Sequence, residues 1–280
     1  MAKSQYEGRL VVVASRHDKA AAIARPMHKL LGVQLWSPPD LDTDQFGTFS
    51  GDVPRPGTPI EMLRAKIALC RRLFPNPIML ASEGAYSQHP IFPSLGLAQE
   101  WMMWDDADNG LVLIEHKTRI TPFYYATRLE SSEQLAPQLE RCGWPKLAVT
   151  LHAADLNVPS FKGLRATAEI EHALAHLQGL GAQQIQLATD MRAHLHPPRQ
   201  RTLRHLAARL ARRVRTACPQ CQQLGFGARF CETGLACSDC NTPSQQLKMR
   251  GVRCEHCGYG HASWQASGYA DPYYCTYCNP

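Results

Sequence analysis

The chain has 280 residues, of which 44% are hydrophobic, so it is long enough to bury a large core and to carry a smaller appended module. Its formal net charge of +6 conceals an asymmetry, because residues 1–190 carry 18 lysines and arginines against 20 acids, whereas residues 191–280 carry 12 against 4. No apolar run approaches the length of a membrane span and residues 1–20 lack the pattern of a secretory signal, so we expect a cytoplasmic protein without membrane partners.

Predicted strands and helices alternate along the first 190 residues. In chain order they are a strand over 9–14, a helix over 20–31, a helix over 60–74, a strand over 78–82, a hairpin of 100–106 and 111–116, a helix over 132–142, a strand over 146–151, a helix over 164–180 and a strand over 184–189. Such alternation is typical of α/β folds. We therefore predict an α/β domain with a mixed sheet over residues 1–196.

The helix over 60–74 has a clear N-terminal signature. Thr58 occupies the cap position, Pro59 the first turn, and Glu61 follows three residues after the cap. The turn-rich stretch over 37–59 that precedes this helix has no regular pattern, and its length makes it a candidate functional loop.

A basic helix is predicted over 199–215, inside a linking segment of residues 197–216. Its apolar stripe consists of Leu203, Leu206, Ala207, Leu210 and Val214, and around the stripe lie Arg201, Arg204, Arg209, Arg212, Arg213 and Arg215. One interpretation is a connecting helix with solvated arginines. The other is a surface that contacts nucleic-acid phosphates, with Arg209 and Arg213 instead paired to acids of the first domain.

Polar residues that suit a phosphorylated ligand gather near strand ends in the N-terminal half. They are Ser15, Lys19, Arg55, Glu61, Lys66 and Glu83. Because α/β proteins place ligands at the carboxyl ends of their strands, we expect these side chains to converge in one crevice. Carboxylates hold Mg²⁺, and cations neutralise phosphate charge. The simpler alternative is that Glu61 only caps its helix and that Lys66 is solvated.

Eight of the eleven cysteines form four C-x-x-C pairs. The pairs are Cys218/Cys221, Cys237/Cys240, Cys254/Cys257 and Cys275/Cys278, separated by 15, 13 and 17 residues. Each such turn directs two thiolates at one ion, and two turns complete the tetrahedral sulfur shell that suits zinc. A disulfide framework and an iron–sulfur cluster are the alternatives. The spacing predicts two structural zinc ions in a zinc-ribbon-like module over 217–280.

The spacing also bears on which pairs share an ion. We expect the first pair to join the second and the third to join the fourth, because neighbouring pairs close the shortest loops. A nested arrangement, with the first joined to the fourth and the second to the third, is the next choice. An interleaved arrangement comes third.

Several segments together resemble a bacterial family known only as a domain of unknown function, DUF6671. They are ASRHDKAAAIA, DTDQFGTFSG, PRPGTPIE, ASEGAYSQHP, ATDMRAH and the cysteine knuckles that end in YCTYCNP. The resemblance spans nearly the whole chain and implies no established activity.

Residues 10–84 resemble in layout the inosine triphosphatase-like nucleotide pyrophosphatases. Ala14 and Ser15 match the start of that family's first motif, His17 stands where an asparagine is expected, and Lys19 comes one residue early. Further along, Ala65-Lys66 is similar to the family's lysine–alanine dipeptide, and Glu83-Gly84 corresponds to its acidic turn.

This second resemblance implies a Mg²⁺-dependent attack of water on a nucleoside triphosphate. Glu83 and Glu61 would bind the metal, with Lys19 also in the catalytic set. Phosphates would be held by Ser15, Lys19, Arg55, Lys66 and Arg192.

The alternative is a binding protein without turnover, in which the zinc module and the arginine helix contact RNA, DNA or a protein. The module's aromatic residues would then stack on bases, or they substitute for the core that a small module lacks. These residues are Trp264, Tyr269, Tyr273, Tyr274 and Tyr277.

Overall fold

The computed structural model describes residues 4–15, 19–39, 41, 43, 46–47, 55–92, 95–122, 124–129 and 132–280. The chain divides into two compact units, Met1–Ala211 and Arg212–Pro280. Eleven residues of the candidate functional loop, like His17, lie outside the described residues. Among the helices that are described, none is both long enough and apolar enough to cross a membrane.

The first unit contains a five-stranded mixed sheet in the order β2-β1-β3-β4-β5. Its strands and the helices between them are β1 (Leu10–Ala14), α1 (Lys19–Leu31), β2 (Gln34–Trp36), α2 (Pro59–Leu73), β3 (Ile78–Gln88), β4 (Gly96–Asp106) and β5 (Leu111–Thr121). Strands β2, β1 and β3 are parallel, whereas β3, β4 and β5 are antiparallel. The predicted mixed α/β architecture is therefore confirmed.

Strands β2 and β3 lie on opposite sides of β1, so the chain reverses its direction of travel across the sheet at β1. Right-handed crossovers then place α1 and α2 on opposite faces. On one face, Leu63 and Ile67 of α2 pack with Val12, Met79 and Met103. On α1, an apolar stripe at helical spacing is buried. The gap between β1 and β3 is thus the topological switch point of the sheet, where open α/β sheets bind ligands.

Strand β3 is longer than predicted and changes the setting of Glu83. The predicted strand covered only the apolar run over 78–82. Pairing with β4 continues through Gln88, so Glu83 lies in the middle of the strand. The reason is that β4 supplies a full-length partner, which keeps polar residues extended beyond the point where the apolar run stops.

A second sheet, which the sequence did not predict, follows in the order β6-β9-β7-β8. Its elements are β6 (Ala126–Leu129), α3 (Leu135–Arg141), β7 (Val149–Ala153), β8 (Phe161–Leu164), α4 (Thr167–Gly179) and β9 (Ile185–Thr189). All its pairings are antiparallel. Leu151 and Leu187 pack in its core with Ile170 and Leu177 of α4. The four-residue strands β6 and β8 are too short to give a periodic sequence pattern.

Helix α5 (Pro197–Val214) includes the boundary between the two units. The second unit then forms a three-stranded antiparallel sheet of β10 (Ala228–Thr233), β11 (Leu247–Arg253) and β12 (Gly260–Gln265). The β11–β12 register shifts between Arg250 and Gly251. A Cβ atom at Gly251 would lie 2.1 Å from the His261 carbonyl oxygen, so only glycine fits this bulge.

Candidate ligand crevice and candidate metal centres

The candidate crevice is the place where β1 ends and β3 continues without its parallel neighbour. Two cationic side chains bond the freed carbonyl groups. Lys19 Nζ donates to the Ser82 oxygen at 3.3 Å, and an Arg55 Nη donates to the Gly84 oxygen at 2.7 Å. Ser15, the residue directly after β1, is also buried. Three of the predicted site residues thus lie at this end of the sheet.

On the α2 side of the sheet, Glu83 is held by two cations. One carboxylate oxygen pairs with Lys66 and the other accepts from Arg55 at 2.7 Å. Glu83 and Lys66 are 5% and 6% exposed, so neither is a solvated surface group. Although burial raises the pKa of Glu83, the nearby Lys66, Lys19 and Arg55 charges hold it below its usual value. Glu83 therefore stays ionised.

On the opposite side of the sheet lies a second buried ion pair, which the sequence did not predict. Arg199, in the first turn of α5, donates to Glu100 of β4 at 2.6 Å, and each residue is 1% exposed. The Tyr86 hydroxyl also donates to Glu100, and the Arg199 guanidinium lies 5.4 Å from the Tyr86 ring centroid. The sequence predicts Arg199 only as part of a basic helix, and no local pattern distinguishes it from the exposed Arg201 and Arg204.

Gly84 lies directly against this pair. A Cβ atom at this position would lie 2.6 Å from Arg199 Nη2 and 2.8 Å from Glu100 Oε2. Glycine therefore allows the guanidinium and the carboxylate to meet over the strand backbone.

Lys19 interacts electrostatically with the charged groups of both ion pairs. Burial is the largest cause, followed by the charges of Arg199 and Lys66, and together they lower the pKa of Lys19 to about 7. Glu83 and Glu100 act in the opposite sense. An ammonium group at this position is costly because it is desolvated and has cations on two sides.

Two polar atoms in the crevice are buried without a partner among the described residues. They are the Ser82 hydroxyl oxygen and Nε of Arg55. Ser82 follows the last β3 residue that pairs with β1, and Arg55 bonds Glu83 and Gly84 directly beyond it. Buried polar atoms are nearly always hydrogen-bonded in folded proteins, so this pair indicates groups available to a ligand.

Two predicted site residues make their described contacts elsewhere. Glu61 is exposed and completes a capping box, with its carboxylate accepting from the Thr58 amide at 2.7 Å. Arg192 pairs with buried Asp190 at 2.8 Å, and Asp190 also accepts from the Gly163 amide. Local roles account for both contacts, and no described bond links either residue to Lys19 or Glu83.

The crevice offers limited support for a divalent cation. Among the described residues, only cysteines bring three or more potential metal ligands together. Glu83 is the one predicted metal-binding carboxylate that lies in the crevice, and cations hold both its oxygens. One carboxylate is enough for Mg²⁺ only when substrate phosphates and water complete the coordination shell.

The eight paired cysteines form two groups of four, and within each group the sulfur atoms lie within 4.8 Å of one another. Cys218 and Cys221 face Cys257 and Cys254, with both sulfur–sulfur distances at 3.7 Å. In the other group, the distances are 3.9 Å for Cys237–Cys278 and 3.5 Å for Cys240–Cys275. A tetrahedral zinc ion with bonds of about 2.3 Å separates its sulfur ligands by about 3.8 Å. Both groups therefore match zinc-ribbon-like sites.

The pairing is interleaved, so the expectation that neighbouring pairs share an ion was wrong. The first pair joins the third and the second joins the fourth. In an antiparallel meander, alternate connections lie at the same end of the sheet. Ala228 at the start of β10 pairs with Arg253 at the end of β11. The first C-x-x-C pair, or knuckle, precedes β10 and the third follows β11, so this pairing brings the two together. The small entropic advantage of shorter loops does not outweigh this sheet topology.

All four knuckles use the same local turn. The amide of the residue after the second cysteine donates to the carbonyl of the first, as Gln222 does to Cys218 at 3.0 Å and Asn241 to Cys237 at 3.0 Å. Gln222 and Asn241 have φ values of 63° and 60°. The Thr242 hydroxyl lies 2.8 Å from the Cys240 sulfur and 3.4 Å from the Cys275 sulfur, and a hydrogen bond to sulfur favours the thiolate that a metal requires.

A family described as a domain of unknown function, DUF6671, matches residues 72–280. The chain belongs to this family. The DUF6671 domain includes Glu83, Glu100, Arg199 and all eight paired cysteines, whereas the match begins after Lys19 and Lys66. No curated protein matches the chain at a significant level.

Within the DUF6671 domain, the arginines of α5 differ in exposure and in their partners. Arg209 pairs with Glu115 of β5, whereas Arg213 pairs with Glu255 of the third knuckle rather than with an acid of the first domain. Arg201, Arg204 and Arg212 are exposed. The apolar stripe predicted for this helix is fully buried.

Proposed function

We propose that the first unit binds a phosphorylated ligand in the crevice between β1 and β3, and that two structural zinc ions stabilise the second unit. The excess of basic over acidic side chains in the crevice is the observation that supports the first part of this proposal. The described crevice groups comprise two carboxylates and four cations, namely Glu83 and Glu100 with Lys19, Arg55, Lys66 and Arg199. An anion at the switch point would balance this excess of positive charge.

The partners of Lys19 and Arg55 are backbone carbonyls and Glu83, which a phosphate could replace. The phosphate oxygens would accept hydrogen bonds from Arg55 Nε and the Ser82 hydroxyl, two of the buried groups that lack a partner among the described residues. Guanidinium groups bind phosphate oxygens in a bidentate manner, and lysine adds a compact charge. Ser15, at the end of β1, would line the same pocket.

The more specific form of the proposal is a Mg²⁺-dependent nucleoside triphosphate pyrophosphatase. Glu83 would give the metal one protein ligand when it arrives with the triphosphate. Such an ion polarises a phosphoryl oxygen and lowers the pKa of bound water. Lys66 and Arg55, released from Glu83, would hold the phosphates, and Lys19 would stabilise negative charge at the end of β1. Arg192 and Glu61 would act only from the periphery.

The decisive experiment is a phosphate-release screen across nucleoside triphosphates with Mg²⁺, paired with binding measured by calorimetry. Wild type is compared with Glu83→Gln, Lys19→Gln and, as a matched control, Arg64→Gln, because Arg64 is an exposed cation on α2. Binding that Lys19→Gln weakens at least tenfold and Arg64→Gln leaves unchanged supports the crevice. Equal effects of both changes, or no binding, exclude it.

Hydrolysis decides between the two forms of the proposal. Turnover that Glu83→Gln abolishes supports the pyrophosphatase. Binding without turnover supports a non-catalytic protein, a form favoured by the cations that already hold both oxygens of Glu83. Elemental analysis tests the zinc proposal separately, and fewer than one zinc per folded chain would exclude it.

A further inference from the structure

The sheet of the second unit has one face that differs sharply in character from the other. Arg250 lies opposite Cys231 on β10 and Trp264 on β12. Val252, two residues further along β11, lies opposite Arg229 and His261. Directly opposed residues of antiparallel strands share a face, as do residues two apart along a strand. The basic face therefore consists of Arg229, Cys231, Lys248, Arg250, Val252, His261 and Trp264.

The basic face is open to solvent. Each of its residues is exposed except Val252, which is half-buried, and β12 is exposed along its whole length. Trp264 is 41% exposed and lies beneath the Arg250 guanidinium, at 5.7 Å from the ring centroid. The indole thus contributes little to a core and presents an aromatic surface beside a cation.

Acidic residues are absent from the basic face. The second unit has four of them, and all are placed elsewhere. Glu232 pairs with Met249 on the other face, Glu255 pairs with Arg213, Asp239 lies in the second knuckle, and Asp271 caps a short turn. The cations of the basic face are therefore not neutralised within their own sheet.

The charge of the second unit as a whole does not explain this arrangement. It has seven lysines and arginines against its four acids. Eight thiolates and two zinc ions would add a charge of about −4, which leaves the loaded unit slightly negative. Three of the seven cations, Arg229, Lys248 and Arg250, nevertheless lie together on the basic face with no acid among them, so any attraction of anions is local to that face.

We propose that the basic face binds single-stranded nucleic acid. Arg229, Lys248 and Arg250 would contact consecutive phosphates, and Trp264 would stack on a base. A single strand is favoured over a duplex because stacking on an aromatic side chain needs an unpaired base. It is favoured over an acidic peptide because a peptide has no repeated planar group for the exposed indole. This site is separate from the crevice of the first unit and does not rest on its function.

The test uses the full-length, zinc-loaded protein and fluorescence anisotropy with labelled single-stranded RNA and DNA of mixed sequence. We expect the logarithm of the association constant to fall linearly with the logarithm of the salt concentration. The slope should be about −2, as for three phosphate contacts on a single strand. Arg250→Ala should reduce that slope by about 0.7. Trp264→Leu should weaken binding at least fivefold, and Trp264→Tyr should restore most of it.

Arg253→Ala is the matched control, because Arg253 lies on the same strand but on the other face, 6.0 Å from the Phe230 ring. This variant should bind as the wild type does, and zinc content should be unchanged in every variant. Three results would overturn the proposal: no binding at low salt, equal losses for Arg250→Ala and Arg253→Ala, or tighter binding to duplexes. Binding of a labelled acidic peptide that Arg250→Ala weakens, together with no binding of the oligonucleotides, would assign the face to a protein partner instead.

Discussion

At the scale of single residues, burial changes the acid–base chemistry of Lys19. Its amine is buried beside other cations, and the pKa of Lys19 falls to about 7. At pH 8 most molecules therefore carry Lys19 as the neutral amine, although a free lysine would be charged. An anion in the crevice would favour the charged form and raise the pKa again.

Ligand binding should consequently take up protons. At pH 8 we expect uptake approaching one proton per phosphate ligand, and little uptake at pH 5, where Lys19 is already charged. Calorimetry in buffers of different ionisation enthalpy measures this number directly. Lys19→Gln should remove the pH 8 uptake. An uptake that persists in Lys19→Gln would place the proton on another group.

Gly84 offers a second test at this scale. A methyl group at Gly84 would collide with Arg199 and Glu100, so Gly84→Ala should separate a buried ion pair and destabilise the protein by about 3 kcal/mol. Gly179→Ala is the control, since a Cβ atom at Gly179 meets no atom within 4 Å. Urea unfolding monitored by circular dichroism gives both values. A loss for Gly84→Ala no larger than that of the control would contradict the packing described here.

At the scale of helices and strands, features formed by residues close in sequence were predicted, whereas contacts between distant residues were not. The capping box of Thr58 and Glu61 and the β4–β5 hairpin depend on residues close in sequence, and both were predicted. Arg199 and Glu100 are 99 positions apart, so no local pattern indicates their pairing. The sequence predicted Glu83 after the end of a strand, but it lies within β3. The extension of β3 depends on pairing with β4, which the residues of β3 alone do not indicate.

The interleaved cysteine pairs make a prediction about pairs of mutations. Cys218→Ser and Cys254→Ser remove ligands from one group, so each should reduce zinc from two to about one per chain, and the double variant should lose no more. Cys218→Ser with Cys237→Ser should lose both ions. Elemental analysis of the purified chains distinguishes these outcomes. Loss of both ions on combining Cys218→Ser with Cys254→Ser would contradict the interleaved arrangement.

At the scale of the whole molecule, the two units draw their stability from different sources. The first has apolar cores on both its sheets. The second is small, and several of its buried residues are the cysteines themselves. A module of this size usually needs a metal to fold, because its apolar core is insufficient.

Removal of zinc should therefore affect the units unequally. With a strong chelator, we expect the second unit of the intact chain to become sensitive to protease, while the first keeps its helical signal and its affinity for a phosphate ligand. Calorimetry should then lose one of two transitions. Readdition of zinc is the control for irreversible damage. Simultaneous unfolding of both units would mean that the metal centres also support the α/β fold.

For the whole molecule, the sequence predicted an α/β domain followed by a metal-binding module, but it did not predict which strands pair in which sheet. Four C-x-x-C pairs predicted the two cysteine groups, since metal spacing is a property of short segments. The second antiparallel sheet was not predicted, because its strands β7 and β9 have the same apolar character as strands of a single larger sheet. Which strands pair is decided by long-range packing that one sequence does not display.

The extension of β3 past β1 has a further consequence, for self-association. Its backbone carbonyls at Ser82 and Gly84 are covered by the side chains of Lys19 and Arg55 instead of a neighbouring strand. An uncovered strand edge is a template for pairing with another chain, and cationic side chains are a common protection against it. The groups proposed to bind a ligand thus also cover this strand edge. Chains that lack both cations would be the ones most prone to aggregate by strand addition.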